Sequence, residues 1–209
     1  MKILVIIMFL ITAAPTACKQ SDEEDTTATT VANSEMIIDN VLMQTMEMSS
    51  QKMNDVKTTG DYDLDFANNM IVHHQMAIDM SNVEIAKGTD PKIINIAKGI
   101  AAAQAIEIRE MQQFVENYIK LSNGKNMANS DKITLEMKQM MGQMHTINLT
   151  NIIDKDYVSM MIPHHESAVA MANNELIYGK ETILKDLSRN IIEDQNFEIN
   201  EFKKWQSKN

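Results

Sequence analysis

Between residues 65 and 87 the pattern has helical spacing: Met70, His73, Ala77, Met80 and Glu84 follow one another at steps of three and four residues. Little β-branched alternation competes with it, so the segment predicts a helix. A turn follows at Lys87, Gly88, Thr89, Asp90 and Pro91, where glycine ends one helix, a capping residue follows and proline opens the next. The second helix carries Ile93, Ile96, Ile100, Ile108, Met111, Val115 and Tyr118 on one side and runs to about Leu121. The same succession returns later, with a turn near Gly179 and a stripe of Leu184, Leu187, Ile191, Ile199, Phe202 and Trp205. Each hairpin is preceded by an amphipathic, methionine-rich segment. One runs from Met36 to about Lys57 and the other from Asp131 to about Ile147. Asp63 and Asp154 are expected as N-caps, and Asp65 and Asp156 as acidic residues favoured by the helix dipole, so all four read as structural.

Sliding the chain on itself by 91 residues carries Asp63 onto Asp154 and aligns the two halves without a gap. Met46, Met53, Asp65, Ala77, Met80, Glu84, Gly88, Gln104, Glu107 and Ile108 each meet an identical residue. The register points to duplication of a three-helix unit, at a period far too long for a solenoid. The expected fold is all-α, an antiparallel helical bundle built from two tandem copies, 35–121 and 127–207, packed as one domain. Its 209 residues suffice for a sizeable core.

Charge and the N-terminal segment bear on location. Residues 1–17 have a basic start at Lys2, an apolar run from Ile3 to Ile11 and small residues ending at Ala17, the form of an export signal peptide, too short to span a bilayer. The sole cysteine, Cys18, follows directly and resembles the lipid-attachment residue of a bacterial lipoprotein, although Pro15 stands where an aliphatic residue is usual. The alternative is ordinary cleavage that leaves a free thiol. Polar residues up to 34 read as a disordered tether. The expected location is therefore exported, membrane-anchored through Cys18 and facing the periplasm or cell exterior. A formal net charge of -10 argues against a nucleic-acid partner and is compatible with cations. Protein partners are not legible.

With Cys18 lipidated, soft-metal chemistry must use thioethers. The chain has 19 methionines and only 5% aromatic residues, and the methionines crowd the histidine pairs. Methionine packs cores readily, so a structural reading stands beside the metal-binding one. Four of the five histidines form the pairs His73–His74 and His164–His165. Adjacent helical residues point about 100° apart, so a pair cannot chelate one ion; one ring is expected to face the interior and the other a neighbouring helix. Met70 lies one turn before both rings. Met70, His73 or His74, and Met80 form one candidate site, and Met161, His164 or His165, and Met171 its mate. Met111 is a further candidate for the first, where the second has Phe202. Gln104 and Glu107, repeated as Gln195 and Glu198, interrupt an apolar stripe; the carboxylates are expected to orient imidazoles on the facing helix. Pro163, in the place of Val72, predicts a kink or opened turn beside His164, unless the helix starts later.

The segments DFANNMIVHHQMAIDM with QAIEI, and DYVSMMIPHHESAVAM with QNFEI, resemble the DUF305 family of exported bacterial proteins over nearly the whole chain beyond the tether. The resemblance implies a ferritin-like helical bundle and, since some methionine-rich members are implicated in copper binding and resistance, a copper role. Val72 in place of proline and Phe202 in place of methionine depart from the family pattern. The expectation is a non-catalytic protein that buffers or carries Cu(I), with Ag(I) as a second ion. One rival is a ferritin-like di-iron or di-manganese oxidase, weakened because no Glu-x-x-His occurs. The others are a structural or partner-binding bundle and a methionine-based oxidant scavenger.

Overall fold

Six helices follow in order: α1 (Val41–Asn54), α2 (Tyr62–Lys87), α3 (Pro91–Leu121), α4 (Asp131–His145), α5 (Ile153–Tyr178) and α6 (Thr182–Gln206). The computed structural model describes residues 40–121 and 130–209, which contain no strand. The expected export signal, Cys18 and the tether lie outside them, as does the start of the first segment at Met36. Among the described residues no helix is long and apolar enough to cross a membrane.

The all-helical bundle expected from periodicity is what forms. The hairpins α2–α3 and α5–α6 pack along their lengths, α1 lies on α2, α4 lies on α5, and α2 meets α5 at the centre. Met46, Met70, Met80, Met137, Met144, Met161 and Met171 join Leu42, Phe66, Ile93, Ile100 and Ile191 in one buried core. Methionine suits this role, because its unbranched chain fills the irregular space where helices cross.

Several local expectations are corrected. Asp63 and Asp154 do not cap their own helices. Asp61 is the N-cap of α2, and α5 begins after Ile152 without a side-chain cap. Asp63 instead accepts the backbone N–H groups of Lys180 and Glu181 at 2.8 and 2.9 Å, at the start of α6. Asp154 does the same for the α2–α3 turn, accepting from Thr89 N–H, Thr89 Oγ1 and Asp90 N–H at 2.8–2.9 Å. Each half thus satisfies helix-start donors of the other, which have no partner within their own helix. Asp65 and Asp156 extend the clasp: Asp65 accepts from Ser130 Oγ ahead of α4 at 2.7 Å, and Asp156 from Asn40 Nδ2 ahead of α1 at 2.8 Å. The structural reading of these aspartates holds, by a different route.

Gly88 and Gly179 have φ of -64° and -65°, so neither adopts the left-handed cap conformation. Glycine is needed there because a Cβ would overlap the carboxyl of Glu84 or Glu175, folded back against the turn. At Pro163 the helix is continuous: α5 runs unbroken from Ile153 to Tyr178, so the opened turn does not form and the helix does not start late.

Asp63→Ala and Asp154→Ala are each expected to cost about 2 kcal/mol in urea unfolding, because each removes a buried charged acceptor from two backbone amides. Glu166→Ala, which breaks an exposed pair with Lys203, should cost under about 1 kcal/mol. Equal effects would mean the clasp is incidental.

Candidate metal centre

Because α2 and α5 run antiparallel, equivalent residues face each other where they cross. The His73 and His164 rings stack there with centroids 3.9 Å apart, and His164 Nε2 lies 3.1 Å from the backbone oxygen of His73. One residue further along, each helix has turned by about 100°. His74 therefore faces α3, with Nε2 2.9 Å from Glu107, and His165 faces α6, with Nε2 2.8 Å from Glu198. The split expected for adjacent histidines, and the pairing of Glu107 and Glu198 with imidazoles, are both present.

All four rings are fully buried. His74 and His165 each hold Nε2 against a carboxylate and leave Nδ1 without a partner. Both nitrogens of His73 and Nδ1 of His164 also lack partners. Gln104 and Gln195, one turn before the glutamates, are buried with both amide atoms unpaired. So dense a set of unpaired buried polar atoms is costly in a structural core and suits a ligand.

Met70, Met80, Met161, Met171 and Met111 are all fully buried in the same core. Phe202 lies 6.0 Å from the His165 ring, and the repeat register puts Met111 in the corresponding place beside His74. At that position one half has a soft donor and the other does not. The inner imidazoles of the two candidate sets meet, and the outer ones lie beside separate carboxylates.

Burial, helped by the neighbouring imidazoles, holds His73 and His164 well below the ordinary histidine range. They are therefore neutral, with lone pairs available. Among the described residues no three His, Cys, Asp or Glu side chains are grouped to hold an ion. Neutral imidazole and thioether fit Cu(I) and Ag(I).

Asp194 was not singled out from the sequence. Its carboxyl is pushed up by partial desolvation and by the charges of Glu107, Glu198 and Glu193. Ala103 takes its place in the other half, so the repeat gave no signal. Glu84 and Glu175 were seen only as stripe positions. Burial, reinforced by Asp154, pushes Glu84 up to about 8; burial, reinforced by Asp63, pushes Glu175 up to about 9. Burial beside an aspartate thus favours the protonated, neutral form of both glutamic acids near neutral pH. The signal was available, since Glu84, Gly88 and Asp154 and their mates all recur at the same shift.

The domain-of-unknown-function model DUF305 matches residues 15–115 and again 63–206. The chain belongs to the DUF305 family. Two overlapping matches suit the internal repeat. A DUF305 protein from Streptomyces coelicolor is 25% identical, with 72% of this chain and 94% of that one covered at a TM-score of 0.55. CopM, solved in a Cu(I)-bound form, is 28% identical, with 70% and 96% covered at a TM-score of 0.54. A co-crystallised Ag-bound form of CopM matches equally well. A DUF305 fragment from Deinococcus radiodurans, 19% identical with a TM-score of 0.54, shares the fold. No curated protein sequence matches the chain.

The buried acids and bases of this DUF305 protein act on stability with opposite signs. His73 and His164 have lowered folded values, so their contribution is present above the unfolded value near 6.5 and lost as pH falls. Glu84 and Glu175 have raised values, so their contribution is present below 4.5 and lost as pH rises towards about 8 and about 9. Unfolding free energy should therefore form a plateau between about pH 4.5 and 6.5 and decline on both sides. Glu84→Gln with Glu175→Gln should flatten the alkaline decline. Stability climbing steadily from pH 6 to 9 would mean that both glutamates are ionised in the folded protein.

Proposed function

We infer that this DUF305 protein binds Cu(I), and Ag(I) in its place, as cargo: it buffers or carries the ion outside the inner membrane and catalyses no reaction. The observation that carries this reading is the set of four buried imidazoles with unpaired nitrogens inside a methionine core. Relatedness to CopM, solved with Cu(I) and with Ag, supports it. Neutral donors tolerate a single positive charge, and the half-buried Glu107 and Glu198 lie close enough to balance it.

The residues divide the work. His74 and His165 sit beside the carboxylates Glu107 and Glu198, whose negative potential draws cations to the outer imidazoles. His73, His164, Met70 and Met161 offer donors deeper in the core, with Met80, Met171 and Met111 as further thioethers. Glu107 and Glu198 act through the imidazoles, holding their charge and position. A di-iron oxidase remains the less suited reading, because its Glu-x-x-His motifs are missing from the sequence. Anchoring by a lipid at Cys18 would keep the carrier at the membrane from which the ion is delivered or withheld.

Competition titration with Cu(I) under reducing conditions, alongside Zn(II) and Fe(II), tests the assignment. Tight, stoichiometric Cu(I) binding is expected, with weak binding of the other two. Met70→Leu with Met161→Leu preserves volume while removing thioethers, and Glu107→Gln with Glu198→Gln should weaken Cu(I) binding about 10- to 100-fold. A preference for Zn(II) or Fe(II), or unchanged Cu(I) affinity in both double variants, would overturn the reading.

A further inference from the structure

Away from the histidine pairs, a groove of about 460 Å³ runs between the end of α1, the α1–α2 connection and α4. Met53 from α1 and Met137, Met141 and His145 from α4 all line it. Met137, Met141 and His145 follow at steps of four, which stacks their side chains along one face of the helix. Met53 and Met137 are buried, Met141 is half-buried and the His145 ring is 46% exposed, so thioethers make the floor and an imidazole stands at the rim. His145 Nδ1 lies 2.7 Å from the Met141 carbonyl oxygen, which can only accept, so Nδ1 bears a proton. Nε2 lies 2.6 Å from a Glu47 carboxylate oxygen on α1, which also only accepts, so an ion bound at Nε2 takes the place of the proton shared with Glu47. A ring fixed through one N–H to a backbone carbonyl is how metal-binding histidines are usually held.

We propose that Met53, Met137, Met141 and His145 form a second, solvent-facing site for one soft monovalent ion, Cu(I) or Ag(I), separate from the buried imidazoles. The proposal shares with the reading above the premise that soft ions are the cargo, but it rests on different residues. Three thioethers and one imidazole leave Glu47 as the one carboxylate touching His145, and Lys138 on the groove wall opposes additional positive charge, so a monovalent ion is favoured over a divalent one. The donor set exists in one half only. The shift of 91 residues puts Ser50 against Met141 and Asn54 against His145, and Ser50 and Asn54 line the same groove. Comparison of the repeats therefore passes over it.

The test is an Ag(I) titration of the full chain, followed by NMR of the methionine methyl groups and by counting bound ions. The parent is expected to show shifts at Met53, Met137 and Met141. Met137→Leu/Met141→Leu/His145→Gln should bind one ion fewer, with the responses of Met70 and Met161 retained. His145→Gln alone, at a half-exposed position that folding tolerates, should weaken the groove site about tenfold. Groove methyl groups that stay still while Met70 and Met161 respond, or an unchanged ion count and affinity in the triple variant, would overturn the proposal and leave the buried centre standing. Groove shifts without response at Met70 and Met161 would support the groove and overturn the buried centre.

Discussion

The arrangement depends on carboxylates at the starts of α2 and α5 that serve the opposite half of the molecule. Asp63 holds the start of α6 and Asp154 the start of α3, while Asp65 and Asp156 reach the segments before α4 and α1. Such bonds to charged acceptors are short, directional and costly to lose when buried. They set the register of α2 against α5. Since the histidine pairs lie midway along these helices, that register also decides that His73 meets His164. Displacing one helix by a turn would separate the inner rings and carry the outer ones away from Glu107 and Glu198.

At the clasps the core also contains acids that burial makes into proton carriers. Glu84 and Glu175 fold back over Gly88 and Gly179, against aspartates already occupied by backbone amides. Two adjacent buried carboxylates cannot both be charged at low cost, and one shared proton resolves the conflict. At the centre the solution is neutral imidazole. Both devices let polar groups occupy a methionine core without net charge. A singly charged soft ion, met by imidazole and thioether and balanced by a nearby carboxylate, is a chemically consistent addition to such an interior.

Several of the positions at which the halves differ carry donors. Met111 stands where the other half has Phe202, Asp194 where the other has Ala103, and Met141 and His145 where the other has Ser50 and Asn54. The shared residues maintain the fold and the histidine centre, and the unshared ones give each half its own supply of soft or charged groups. Pro163 shows how little a local rule binds when packing opposes it: α5 loses one backbone bond there and stays helical between α2, α4 and α6.

Periodicity and the repeat by themselves determined the helices, the hairpins and the pairing of glutamate with histidine, because each follows from spacing along one helix or within one hairpin, and the two histidine motifs carried the family resemblance. A step of three or four residues places side chains on one face in any surroundings. Which half each aspartate serves was beyond the sequence, since Asp63 and Lys180 are 117 residues apart and only packing brings them together. The same holds for the His73–His164 contact, the protonated glutamates and the role of Gly88, whose missing side chain matters only once Glu84 has folded over it. Spacing acts locally, but desolvation, shared protons and contacts between halves arise from neighbours that the chain meets only after the helices have packed.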